Sequence, residues 1–389
     1  MLNYIHNIPT RLYFGKGQIS HLTEVLEPFG KNVLLTYGGG SIRKTGLYDT
    51  VMALLKEGGF AVTELSGIAP NPRIESVYEG VRLCKEHHIN VILAVGGGST
   101  IDCSKAIAVG RYYEGDDLWQ MICSSRPGRK ALPLVDVLTI AATGSEFDPG
   151  GVITNLSTNE KLGAMLTYPA ASICDPTYTF TVPKDQTAAG SADIMSHIIE
   201  GYFSRTPDSD LSDGIAETVL KSVMKNAPIA IREPDNYSAR ANLMADASVA
   251  CSHIPEYGKQ STGWPCHAME HELSAYYDIT HGVGLAILTP RWMRYILQKD
   301  PSATERFVRF ARNVMGLEGT DEAALAQAGI DALEAYFKST GIPMTLSELK
   351  IGTEHFEEMA AHANRGGRLD HAYVPLTAED LVKIYQACL

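Results

Sequence analysis

The strongest constraint on the fold is a recurrence in the first hundred residues, where short unbroken runs of Val, Ile and Leu alternate with stretches of helical spacing. The apolar runs are residues 31–37 (KNVLLTY), 60–65 (FAVTEL) and 90–95 (NVILAV), with helical periods over roughly 42–57 and 73–87 between them. A strand with one wet face alternates apolar and polar residues, whereas a strand covered on both faces does not. The rhythm therefore predicts a β-α-β-α-β succession, that is, a parallel sheet with crossover helices. Residues 133–140 (PLVDVLTI) and 172–178 (SICDPTY) are further strand candidates. Beyond Pro183 the strand signals fade, and 187–205, 211–227 and 239–251 carry helical spacing, with Pro207, Pro228, Pro255 and Pro290 read as helix boundaries. The expected organisation is an α/β domain over 1–182 followed by an all-α domain over 183–389.

A length of 389 residues suits two such domains, each large enough for its own core. The formal net charge of -12 argues against nucleic acid, whose recognition needs a concentrated basic footprint. The short basic run 126–130 is broken by Pro127 and Gly128 and reads as a solvated loop. Seven cysteines, odd in number and without a CxxC, suggest neither a disulfide framework nor a thiolate metal site. No apolar stretch is long enough to span a bilayer and the first residues, MLNYIHNIPT, lack the pattern of a secretory leader, so a cytoplasmic protein with no membrane partner is expected.

Two glycine-rich turns stand between an apolar run and a helical stretch: Gly38-Gly39-Gly40-Ser41 and Gly96-Gly97-Gly98-Ser99. Glycine lets the backbone approach a ligand, and the helix that follows offers free N–H groups and the positive end of its dipole, an arrangement that suits a pyrophosphate. Either turn alone could serve only as a tight connection; two in consecutive units are a stronger signal. The usual GxGxxG signature is absent, and Gly15-Lys16-Gly17, ahead of the first strong βα unit, reads as a hairpin or turn. An NAD pocket commonly carries an acidic side chain beside the adenine ribose; the first turn has none and is followed by Arg43 and Lys44, which favours NADP(H) over NAD(H).

In GSADIMSHIIEGY, Asp193 and His197 stand four apart on an expected helix, so both project from one face. That spacing can chelate a metal, although in isolation such a pair more often forms a simple hydrogen bond. A second cluster, HAMEHELSAYYDITHG, sets His267 and His271 four apart and puts His281 at a glycine-flanked helix end. One carboxylate with three imidazoles suits Fe(II) or Zn(II) better than calcium or magnesium, and ligand type alone does not choose between iron and zinc. Cys266 would point about a hundred degrees away from His267 on a helix and is expected to pack.

With these segments the chain resembles the iron-containing alcohol dehydrogenase family, in particular its butanol dehydrogenase and broad aldehyde reductase branch. The resemblance runs the length of the chain and rests on Phe14-Gly15-Lys16-Gly17, GGGSTIDCSK (96–105), LTIAATGSE (138–146), GSADIMSHIIE and HAMEHELSAYYDITHG. It implies a dehydroquinate synthase-like fold, with a dinucleotide-binding domain over 1–182 and a helical metal-binding domain over 183–389. It implies Asp193, His197, His267 and His281 as metal ligands and His271 as a proton relay near the nicotinamide. It places Gly38, Gly39, Gly40 and Ser41 at the adenosine end, Gly97, Gly98 and Ser99 at the pyrophosphate, and Asp102, Thr139, Thr143, Lys161 and Tyr178 along the rest of the cofactor path. Many members carry an aspartate in the first turn where this chain has glycine, which resembles the NADP-preferring members. The implied activity is aldehyde reduction or primary alcohol oxidation by a homodimer or larger oligomer, with Fe2+ or Zn2+. The rival readings are a zinc- and NAD-dependent polyol dehydrogenase and a lyase of the dehydroquinate synthase type. Phe147, Cys251 and Trp264 are candidate pocket walls by their closeness to the motifs.

Overall fold

The computed structural model describes residues 1–389, which form two compact units. The first comprises His6–Val182 and Pro234–Ser252. Its six-stranded sheet is built from β1 (Arg11–Phe14), β2 (Asn32–Tyr37), β3 (Ala61–Leu65), β4 (Val91–Gly96), β5 (Leu134–Leu138) and β8 (Ala171–Cys174), and a separate antiparallel pair joins β6 (Gly150–Asn155) to β7 (Glu160–Met165). The order across the sheet is β1-β8-β5-β4-β2-β3 and every neighbouring pair is parallel. Helices α1 (Leu22–Leu26), α2 (Ser41–Lys44), α3 (Leu47–Glu57), α4 (Ile74–Glu86), α5 (Gly98–Gly110) and α6 (Leu118–Cys123) complete the α/β part.

The unbroken apolar runs have a simple cause. Successive strand residues point to opposite faces, and both faces are covered. Leu34, Ile92, Ala94 and Leu134 join one core with residues of α4, α5 and α6, while Val33, Leu35, Leu93 and Val135 join a second core with residues of α1 and α3. Helix α5 is buried from Gly98 to Gly110 with Ser99 alone partly open, as expected for a helix set at the centre of a unit.

The second unit comprises Met1–Ile5, Pro183–Glu233 and His253–Leu389 and is entirely helical. Helix α7 (Lys184–Tyr202) is buried continuously from Thr187 to Tyr202, and it packs on α8 (Asp210–Arg232) and on α11 (His281–Lys299). Helix α9 (Tyr237–Cys251) belongs to the first unit, α10 (Pro265–Tyr277) packs on α11, and α12 (Thr304–Asn313), α13 (Glu322–Ser339), α14 (Phe356–Ala363) and α15 (Ala378–Ala387) complete the helical set. No helix is long and apolar enough to cross a membrane.

Three features depart from the sequence reading. The compact units are not contiguous: α9 lies with the α/β part, where Met244 enters its core and Ser248 Oγ donates to Glu146 Oε1 at 2.5 Å, and residues 1–5 lie with the helical part. The expected helix over 42–57 is interrupted at Thr45-Gly46, where Gly46 takes a φ of 78°. Gly15-Lys16-Gly17, read as a hairpin or turn, is a turn after β1, which pairs in parallel with β8. Pro228 and Pro290 lie inside α8 and α11. In α11 the buried Leu285, Ile287, Leu288, Trp292 and Met293 flank Pro290 on both sides, and their burial offsets the roughly 3 kcal/mol that an interior proline costs.

Candidate active site

Two buried helices and the first residue of a third bring Asp193, His197, His267 and His281 together. Asp193 and His197 lie one turn apart on α7, His267 sits in the first turn of α10, and His281 opens α11. Asp193 Oδ1 is the hub: it lies 3.4 Å from His197 Nδ1, 3.9 Å from His267 Nε2 and 3.7 Å from His281 Nε2. The two longer separations exceed hydrogen-bond range. Donor atoms about 2.1 Å from a tetrahedral ion lie about 3.4 Å from one another, so the spacing is that of a ligand set.

Satisfaction of the polar atoms points the same way. Asp193 Oδ1, His197 Nδ1 and His267 Nε2 are buried and make no hydrogen bond, although buried polar atoms ordinarily find partners. Three atoms converging on one point, each lacking a partner, fit a cation. Two glutamates that the sequence reading did not select orient the rings. Glu200, on α7, pairs with His267 Nδ1, and Glu270, on α10, pairs with His281 Nδ1. With Nδ1 held by a carboxylate, Nε2 is the ring atom turned to the centre, the arrangement carboxylates impose behind metal-bound imidazoles. Glu200 is itself fixed, since Cys266 N donates to its Oε1 at 2.5 Å. Ser274 Oγ likewise donates to Glu270 Oε1 at 2.5 Å.

The electrostatics match. Burial would lower the His267 imidazole, but the Glu200 and Asp193 carboxylates outweigh it and hold it up at about 9. Burial pushes His197 down to about 3. For Asp193, burial acts upward and is overcome by the surrounding imidazoles, so the carboxyl is held well below its usual range. The cluster is thus a buried anion with imidazole partners competing to neutralise it, which a divalent ion would do directly.

His271 is buried, one turn from His267, with its ring 6.3 Å from that of His267 and 5.7 Å from that of His281. Trp264 is brought in as well, its ring 5.0 Å from that of His267 and 5.4 Å from that of His197. Phe147 and Cys251 lie in the α/β unit. Cys266 is fully buried and packs, as expected.

The sequence-derived coenzyme residues all fall in the α/β unit. The chain runs from β2 outward to β3 and then returns to β4 on the other side of β2, which makes a topological switch between β2 and β4. Ligands of open α/β sheets bind beside the strand C-termini at such a switch. Gly38, Gly39, Gly40 and Ser41 follow β2 there, and Gly97, Gly98 and Ser99 follow β4. The start of α5 carries no side-chain cap. Gly98 is needed sterically, because a Cβ would stand 2.2 Å from Thr143 Oγ1. Thr139 N bonds Gly96 O at 3.0 Å, tying the end of β5 to the turn. Asp102 faces inward: Ser145 Oγ donates to its Oδ1 at 2.5 Å and Val152 N to its Oδ2 at 2.9 Å, and burial pushes its carboxyl up to about 6. Lys161 is buried on β7. Tyr178, partly buried, packs against the α1 and α3 core, and burial raises its phenol to about 12.

Fold and site together define a two-unit protein with a nucleotide-type sheet and a buried carboxylate–imidazole cluster on helices. A family model described as iron-containing alcohol dehydrogenase matches residues 9–176, and one described as the C-terminal part of the Fe-containing alcohol dehydrogenase family matches 187–389. The chain is 49% identical over 391 residues to the NADH-dependent butanol dehydrogenase A of Clostridium acetobutylicum, covering 99% of both chains. It is 36% identical over 353 residues to the NADPH-dependent aldehyde reductase of Escherichia coli, covering 90% of this chain and 89% of that one. The solved structure of NADH-dependent butanol dehydrogenase A from Thermotoga maritima superposes with a TM-score of 0.93 at 40% identity, over 100% of this chain and 99% of that one. The chain belongs to the iron-containing alcohol dehydrogenase family.

Proposed function

We propose that this chain transfers a hydride between NAD(P)(H) and a small aliphatic aldehyde or primary alcohol of the butanol type, with a divalent ion held by Asp193, His197, His267 and His281. The observation that carries the reading is the convergence of partnerless buried donor atoms on Asp193 Oδ1, backed by Glu200 and Glu270. The names of the Clostridium and Escherichia relatives support the substrate class.

A bound Fe(II) or Zn(II) supplies Lewis-acid polarisation of a carbonyl oxygen. Glu200 and Glu270 hold Nδ1 of the His267 and His281 rings, so Nε2 is the atom turned to the ion, and His267 would give up its Nε2 proton when the ion binds. His271, close to the cluster on the same helix as His267, is the side chain placed to hand a proton to the alcohol oxygen. Gly97, Gly98 and Ser99 present backbone N–H groups to a pyrophosphate at the uncapped start of α5. Asp102 braces that turn from inside through Ser145 and Val152.

The acid-free turn Gly38–Ser41 favours NADP(H) by itself, yet the Arg43 guanidinium that would meet a 2′-phosphate is held by Glu64 at 3.2 Å. We therefore propose that both coenzymes are accepted and that NADH serves at least as well as NADPH. A homodimer or larger assembly is part of the same proposal. Metal-replete protein should oxidise NADH and NADPH in the presence of butyraldehyde and should turn over glycerol poorly. No aldehyde-dependent oxidation of either coenzyme across short aliphatic aldehydes would overturn the reading.

A further inference from the structure

The first glycine turn lacks an acid in sequence, but the fold supplies one from the neighbouring strand. Glu64 is the penultimate residue of β3, in register with Leu35 of β2, and so stands at the C-terminal end of the sheet beside the turn. Its Oε2 accepts from Tyr37 Oη at 2.7 Å and from Arg43 at 3.2 Å, and its Oε1 accepts from Tyr48 Oη at 2.9 Å. Arg43 also donates to Tyr37 Oη at 2.5 Å, and its guanidinium carbon lies 3.6 Å from the Tyr48 ring centre. Cation, carboxylate and two phenols thus form one assembly, spanning the end of β2, the end of β3, α2 and the start of α3.

The assembly borders open space. A Cβ added at Gly39 or Gly40 meets no atom within 4 Å, and the Arg43 and Glu64 side chains remain 50% and 35% exposed. In nucleotide-binding sheets of this topology the acid at the end of the strand beside the first glycine turn accepts the adenine ribose 2′-hydroxyl, and an arginine nearby receives a 2′-phosphate. Here both groups are present and are bonded to each other.

We infer that Glu64 and Arg43 together set the choice between NADH and NADPH, with Glu64 as the group that disfavours the 2′-phosphate. The inference rests on the nicotinamide reading proposed above. A carboxylate has about four acceptor positions, and three donors reach Glu64, so one position is left for a ribose hydroxyl. A 2′-phosphate in that place meets the carboxylate charge and must take Arg43 from it. With glutamine in place of Glu64, Arg43 turns to the phosphate at no cost in paired charge, and the same ligand is favoured.

The test is calorimetric titration of NADH and NADPH, and of 5′-AMP and 2′,5′-ADP as fragments that differ only in the 2′-phosphate, into wild-type, Glu64→Gln and Arg43→Gln proteins. Steady-state kcat/KM with butyraldehyde is measured in parallel for both coenzymes. Glu64→Gln should shift the NADPH-to-NADH affinity ratio toward NADPH by about tenfold, the size expected for removing one like charge at a half-exposed site. Arg43→Gln, which leaves the carboxylate without its cation but with both phenols, should shift it toward NADH. A ratio that stays within about twofold of wild type in both variants, while wild type binds both coenzymes, would overturn the inference alone. Wild-type protein that binds neither coenzyme would overturn the nicotinamide reading and the inference with it.

Discussion

Asp193 Oδ1 meets three imidazole nitrogens within 3.9 Å because an i,i+4 step on α7 and the first residues of α10 and α11 point inward at one level. The cluster depends on Glu200 and Glu270 as much as on the four donors. Glu200→Gln should lower metal affinity by roughly 10- to 100-fold, the usual loss when the carboxylate behind a ligating imidazole is removed; a metal-competition titration measures it, and unchanged affinity would deny Glu200 that role. His271→Ala should keep its metal and lose kcat by roughly 100- to 10,000-fold, with metal analysis and steady-state kinetics as the two readouts. Helical spacing put Asp193 and His197 on one face of α7, but that His267 and His281 join them was implied only by the family resemblance, because spacing within one helix does not tell which helices meet. Glu200 and Glu270 were not legible, because a glutamate three residues after a histidine, as in His197–Glu200 and His267–Glu270, looks like an ordinary helix charge until its neighbours on other helices are known. Glu64 was hidden for a similar reason: in FAVTEL it is a polar strand residue, and only the β2–β3 register sets it beside the first turn.

Helices α7 and α11 meet closely where the cluster forms. A Cβ at Gly282, next to His281, would stand 1.9 Å from the backbone oxygen of Ala189, so glycine is what lets α11 begin against α7. Gly282→Ala should therefore destabilise the protein by about 1–3 kcal/mol through overpacking and weaken metal retention by displacing His281. Denaturant unfolding with metal analysis checks both, and wild-type values for each would show that the contact relaxes freely. Elements with one clear pattern were predictable from sequence, β2 and β4 by an unbroken apolar run and α7 by helical spacing. The hairpin β6–β7 was not: GGVITN opens on two glycines and EKLGAM carries two charges and an interior glycine, so neither gives a clean strand pattern. Helices α8 and α11 outran their expected limits because burial on both sides of an interior proline outweighs the lost hydrogen bond, a balance that local propensity does not contain.

Across the whole molecule, buried carboxyls pull stability in opposite directions with pH. Asp213 is held down at about 2 because Arg306 and Lys259 outweigh its burial, and Asp380 is held at about 2 in the same way by Lys299 and the Thr377 backbone N–H. Their contribution is present above the ordinary aspartate range near pH 4 and is lost as pH falls through about 2. Burial pushes Glu146 in the opposite direction, up to about 7, with Ser248 donating to it. Its contribution is full below about pH 4 and is lost as pH rises through 7. Thermal stability should thus decline from mildly acid toward neutral pH, and Glu146→Gln should flatten that decline by on the order of 3 kcal/mol. An unaltered pH profile in that variant would place the titration elsewhere. The two-unit division was legible as a change of pattern near residue 182, but the return of α9 to the α/β unit was not, because helical spacing does not tell which core a helix joins. The most direct test of the central claim is elemental analysis of wild-type and His267→Ala proteins together with their NADH- and NADPH-dependent reduction of butyraldehyde. The account predicts stoichiometric Fe(II) or Zn(II) and aldehyde reduction in the wild type, with both lost in His267→Ala; a variant that keeps its metal and its activity would contradict it.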